Sequence, residues 1–214
     1  MEVFLDIETV PSDKKPHWSE VPVPGQYKKP ESIEEYQKDE ANLMNYWRSQ
    51  GLDSLKGQII CLSYAFDDED IITLTGPEKE IILNLQRDVG NRQVSAWVAH
   101  NAQFDFTWIY HRCLKYGAFP LKSKFRTSPS WKSNIVCTMD MFGGGIQWKP
   151  KINFGKMLEF LDIPTSKDEM DGSQVFDYWI RGDLEPIYRY CPKDVDRLRK
   201  AYRKMTGTVQ QSLF

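Results

Sequence analysis

Five apolar runs punctuate the chain, and each predicts a strand. The first holds Val3, Phe4, Leu5, Ile7 and Val10, broken only by Asp6 and Glu8. The second, Gln58 to Phe66, is followed by the turn Asp67-Asp68-Glu69-Asp70 and a third at Ile71 to Leu74, which together read as a hairpin. The fourth and fifth are Val94 to Ala99 and Ile135 to Met141. Between them the period lengthens to that of helices. Gly76-Pro77 opens one, with Ile81, Ile82 and Leu85 on one face, and another runs from about Gln103 to Tyr116, stopped by Gly117. Phe154 to Leu161 predicts a helix with Met157, Leu158 and Leu161 inward. Asp171-Gly172-Ser173 caps a short one ending at Gly182, and Asp183 caps the next, through Ile187. Pro192 suits the first position of a last helix, with Val195, Leu198 and Tyr202 on its buried stripe and Asp194 in its first turn.

Residues 11–57 depart from this alternation. Pro11, Pro16, Pro22, Pro24 and Pro30 break regular structure, and one amphipathic helix then runs from Glu31 to Gly51, with Ser32 and Glu35 at capping-box spacing. The block reads as an insertion after the first strand: an irregular arm, then a helix. Trp18, Tyr27 and Trp47 are placed either to staple the arm to the body or to stack on bases.

Strand side chains alternate faces, so Asp6 and Glu8 project from one side of an apolar strand. Two buried acids side by side are costly without a positive partner. Carboxylate oxygens are the preferred ligands of magnesium and manganese, so a divalent cation is the natural occupant; the alternative is a strand end where both acids face water. Asp105 and Asp194 lie in predicted first helical turns, where an Asp alone is ordinary helix-dipole chemistry. His100 and Asp140 read as structural, the latter as a turn or cap residue.

At 214 residues the chain suffices for one full α/β domain spanning 1–214. The formal net charge of −2 provides no cationic field, so nucleic-acid contact must come from local patches or bound metal. One such patch is residues 121–134, where Lys122, Lys124, Arg126 and Lys132 alternate with Phe125 and Trp131. Cys61, Cys113, Cys137 and Cys191 are dispersed and form no C-x-x-C pair, which argues against a disulfide framework or a zinc site and fits a reducing cytoplasm. Neither a membrane span nor a signal peptide is expected.

Taken in order, Asp6-Ile7-Glu8, His100-Asn101-x-x-Phe104-Asp105 and Tyr190-x-x-x-Asp194 resemble the three motifs of the DnaQ-like, or DEDD, 3′–5′ exonucleases. Tyr190 stands four residues before the last acid, as in that family's tyrosine branch; the other branch has His five before, where this chain has Arg189. The insertion, Gln58-Ile59-Ile60-Cys61-Leu62-Ser63, Asp171-Gly172-Ser173 and Tyr190-Cys191-x-x-Asp194-Val195 look most like predicted exonucleases related to the proofreading domain of family B DNA polymerases. The resemblance implies a ribonuclease H-like fold with a central five-stranded mixed sheet flanked by helices. It also implies two magnesium or manganese ions held by Asp6, Glu8, Asp105 and Asp194, with Tyr190 positioning water or phosphate. The implied partner is a single-stranded nucleic acid, DNA before RNA, with a DNA polymerase in trans as a further one. Thr9 and Val10 fall where relatives contact the terminal nucleotide. Asn101 suits either the cap of the Asp105 helix or a substrate contact, and Phe104 the core or the same contact. Alternatives of the same reach are an RNA-trimming exonuclease and a non-catalytic nucleic-acid-binding or polymerase-associated module.

Overall fold

The computed structural model describes residues 1–126, 133–144, 152–165 and 170–208. Its centre is strand β1 (Glu2–Pro11), whose run of apolar side chains is buried on both faces. On one side β1 pairs antiparallel with β2 (Gly57–Phe66), which pairs antiparallel with β3 (Ile72–Thr75). On the other it pairs parallel with β4 (Ala96–Ala99), which pairs parallel with β5 (Ile135–Cys137). The order β3-β2-β1-β4-β5, a hairpin meander followed by parallel strands reached through helices, is that of the ribonuclease H-like fold.

Helices cover both faces. Val3, Leu5 and Ile7 pack on Ile81, Ile82 and Leu85 of α3 (Glu78–Val89) and on Phe106, Trp108 and Ile109 of α4 (Ala102–Tyr116). The opposite face takes α9 (Glu185–Thr206): Phe4 meets Val195 and Leu198, and Val10 meets Ile187 and Cys191. Each such side chain, fully buried, stabilises by roughly 1.5–3 kcal/mol before entropy is counted. Smaller helices complete the frame: α5 (Phe119–Lys122), α6 (Thr138–Phe142), α7 (Phe154–Phe160) and α8 (Val175–Ile180).

The insertion differs from expectation in one respect. Its helix is two, α1 (Pro30–Lys38) and α2 (Glu40–Gln50), because Asp39 turns extended (ψ 124°) and its carboxylate accepts from the Asn42 N–H at 2.9 Å, capping α2 afresh. Ser32 is no cap; the chain enters α1 through Lys29 and Pro30. Trp47 is a staple: it is buried, donates Nε1–H to Ser12 O at 3.1 Å and stacks edge-on against Phe176 and Trp179. The arm is further held where Arg112, itself buried, donates to Ser54 O and Gly57 O and pairs with Glu78.

Three boundaries shift. The fifth strand stops at Cys137, because the Thr138 hydroxyl turns back to bond Ala99 O and His100, and the chain coils into α6. Asp140 therefore sits in the first turn of α6 rather than at a strand end. Asp183 is not a cap: α9 begins after Leu184 with no side-chain cap. Pro192 starts no helix but lies inside α9, which runs unbroken for 22 residues, so Asp194 occupies its middle rather than its first turn. Of the basic stretch, Trp131 and Lys132 lie outside the described residues.

Candidate active site

The pleat puts Phe4, Asp6, Glu8 and Val10 on the α9 face of β1. In the β1–β2 register Asp6 lies opposite Ser63 and Glu8 opposite Cys61, with a bulge immediately after Glu8. A bulge bends the strand where side chains must be re-aimed.

Asp105 reaches the same spot from the far side of the sheet. β4 pairs with β1 only as far as Phe4, then ends at Ala99 and turns into α4 through Asn101, which adopts a left-handed conformation (φ 56°, ψ 44°). Beyond that point the edge of β1 is open, and the Asp105 carboxylate accepts a hydrogen bond from the Ile7 N–H. Asp194 descends from α9, one turn after Tyr190, and the Tyr190 hydroxyl donates to it. Arg197 Nη1 donates to Asp194 Oδ1 at 3.2 Å.

The four acids form one electrostatic unit. Asp6 feels the charges of Glu8, Asp105 and Asp194, and Glu8 those of Asp194 and Asp105. Glu8, Asp105 and Asp194 are only 7%, 3% and 7% exposed, too little for solvent to screen them. Burial, then mutual repulsion, pushes the Asp6 and Glu8 carboxyls well above the usual range. Burial pushes Asp105 up to about 8, against two backbone hydrogen bonds that pull it down. Burial and the neighbouring carboxylates also raise the Tyr190 phenol, so it stays protonated at any working pH.

Among the described residues Asp6 Oδ2 is buried with no hydrogen-bond partner. Such an oxygen among acids has the donor character that a divalent cation takes. Donor atoms of Asp6, Glu8 and Cys191 lie within 4.8 Å of one another. The donor set fits divalent cations, with Asp6, Glu8, Asp105 and Asp194 all able to turn oxygens toward them.

The remaining sequence candidates divide. Thr9 Oγ1 donates to Gly51 O at 2.6 Å, anchoring the insertion. Val10 is wholly buried, so its side chain meets the core rather than a ligand. Asn101 holds the N-cap position of α4 without a side-chain capping bond, contrary to the expected cap. Asn101 and Phe104 line a hollow of about 250 Å³ together with Leu52, which is 72% exposed. The basic residues stand elsewhere. Lys122 lies over the Tyr110 ring, 5.2 Å from its centroid. Lys124 Nζ donates to Arg92 O, and Arg126 lines a hollow with Met1 and Ser95. Met1 is five strand residues from Asp6, about 17 Å along β1. Lys124 and Arg126 thus stand at the starting end of β1 rather than beside the acids. His100 is structural, bridging Thr138 Oγ1 and Ile152 O at 3.1 Å each.

Cys61, Cys191 and Arg197 were missed. Cys61 could have been found by pairing the second strand's alternation with the first, and Cys191 and Arg197 by one-turn spacing from Asp194. Only the fold ranks them above other buried cysteines and surface arginines.

No family model matches the chain. It is 21% identical over 160 residues to an uncharacterized protein of Methanocaldococcus jannaschii, covering 72% of this chain and 88% of that one. Among the described residues no helix is long and apolar enough to cross a membrane.

Proposed function

We propose that the protein is a metal-dependent 3′–5′ exonuclease that removes nucleoside monophosphates from single-stranded ends, DNA in preference to RNA. The observation that carries this reading is the meeting of Asp6, Glu8, Asp105 and Asp194 around the unpartnered Asp6 Oδ2. The ordered resemblance to the tyrosine branch of the DnaQ-like exonucleases supports it, and the preference for DNA rests on the likeness to proofreading domains.

Asp6, Glu8, Asp105 and Asp194 would hold two magnesium or manganese ions. When bound, such a pair activates a water and neutralises charge on the phosphate and the leaving oxygen. The chain's own contributions are positional. Burial of the acids leaves little solvent to compete for their oxygens. The Ile7 N–H fixes one face of Asp105, and Arg197 and the Tyr190 hydroxyl fix Asp194. A phenol held protonated cannot serve as the base; with its one O–H on Asp194, the Tyr190 oxygen can accept from and so orient a water. A DNA polymerase acting in trans is a compatible partner.

The test is a 5′-labelled single-stranded DNA, and the RNA of the same sequence, incubated with wild type and Asp6→Ala in magnesium, manganese or chelator. The expected result is a ladder shortening stepwise from the 3′ end, dependent on metal, absent in Asp6→Ala and faster on DNA. Binding without cleavage of either strand would replace this reading with the non-catalytic module.

A further inference from the structure

Cys191 is the residue in the acid cluster that a hard-cation site does not require. It follows Tyr190 on α9 and is fully buried, with Sγ within 4.8 Å of oxygens of both Asp6 and Glu8. Its thiol makes a long contact to the Asp6 carbonyl oxygen, 3.5 Å, and lies within hydrogen-bonding reach of the Asp6 carboxylate and of the Cys61 thiol, which stands beside Glu8 across the β1–β2 ladder. Both sulfurs are free. These are weak interactions, readily given up for a metal bond. Asp6, whose Oδ2 is closed from solvent and without a hydrogen-bond partner, belongs to the same group of donors.

Ligand softness then decides which ion prefers this side of the cluster. Carboxylates alone favour magnesium and manganese, whereas a thiolate selects zinc and its heavier congener cadmium. Two carboxylates and one thiolate give the three protein ligands of an open tetrahedral site. We propose that Asp6, Glu8 and Cys191 form a mixed carboxylate–thiolate site for a thiophilic divalent cation of the zinc class. Binding breaks the Cys191 S–H bond, forms an S–metal bond and releases the proton to solvent. An ion seated there occupies two of the four carboxylates meant for the hard ions, so it holds the nuclease idle and is displaced poorly by magnesium. The site rests on reading the cluster as a cation centre, but its test requires no turnover.

Metal-free protein, kept reduced with a non-chelating phosphine, is titrated with cadmium and with cobalt(II). The readouts are thiolate-to-metal charge-transfer absorption and calorimetric affinity, with each variant's fold checked by circular dichroism. The expected result is a saturable one-per-chain band in wild type, kept in Cys61→Ser, lost in Cys191→Ser and Asp6→Asn, with affinity at least tenfold weaker in Cys191→Ser. Wild type without a band at saturating cadmium overturns the proposal, as does a band that survives Cys191→Ser. A protein that shows the band but no ladder on oligonucleotides keeps the thiol site and loses the nuclease reading.

Discussion

Asp6 carries the site's central tension. Its buried, unpartnered oxygen among three other carboxylates is a cost that a cation bound there would offset. Asp6→Asn removes the charge while keeping the shape. It should abolish hydrolysis yet stabilise the metal-free protein by about 1–3 kcal/mol at pH 8, because it removes a buried charge repelled by three carboxylates, about 1.4 kcal/mol for each pKa unit relieved. Thermal melting with and without chelator checks the sign, and a destabilised variant would show Asp6 to be a structural acid. Tyr190 makes the complementary case. Tyr190→Phe deletes the hydroxyl bound to Asp194 and should slow turnover roughly ten- to hundredfold, equivalent to about 1.4–2.7 kcal/mol. Calorimetric manganese affinity should not change, and equal turnover rates would remove the phenol from the mechanism.

The elements place these residues by ending or bending at chosen points. β4 stops early, the bulge follows Glu8, and α9 carries Pro192 through its middle. Pro192 has no N–H to offer the Tyr188 carbonyl, which loosens the helix in the turn that holds Tyr190, Cys191 and Asp194. The insertion is fastened at its return to the sheet, and Gly57 is the tightest point there. A Cβ at Gly57 would sit 2.5 Å from Val10 O, 2.7 Å from Trp108 Cη2 and 2.8 Å from Gln50 O, two of them backbone atoms that cannot swing aside. Gly57→Ala should therefore cost about 1–3 kcal/mol, read as a lower denaturant midpoint. An unchanged midpoint would mean that the insertion is not docked as described.

At the scale of the whole molecule the acid cluster ties stability to pH and, on the proposed reading, to metal. Asp105, near 3.9 in an unfolded chain, is pushed up to about 8 here, and Asp6 and Glu8 are raised as well. Their folded forms thus bind more protons than the unfolded chain. The stability this brings is fully present below about pH 4 and is lost as pH rises through about 8. Metal-free protein should melt progressively lower from pH 5 to 8, with Asp6→Asn flattening that slope. Manganese should raise the melting temperature by an increment that grows with pH. A melting temperature at pH 8 indifferent to manganese would sink the cation site.

Much of this was legible beforehand because it depends on short-range periodicity. Alternation in β1 put Asp6 and Glu8 on one face, and spacing put Tyr190 one turn from Asp194. Apolar runs gave five strands and so the α/β sheet with helices around it. Errors arose where local signals compete. Pro192 reads as a helix start in isolation, and Asp39 is invisible as a break inside a helical stretch until its side chain caps the next helix. What the sequence determined by itself was on which face of their own element the candidate residues stand, since that follows from backbone geometry. The tertiary structure alone decided which faces meet. It sent Lys124 and Arg126 to the wrong end of β1, drew Cys61 and Cys191 in beneath the acids, and closed Asp6 Oδ2 from water. Those outcomes depend on contacts between residues far apart in the chain, which the packing of α4 and α9 on opposite faces of one sheet creates.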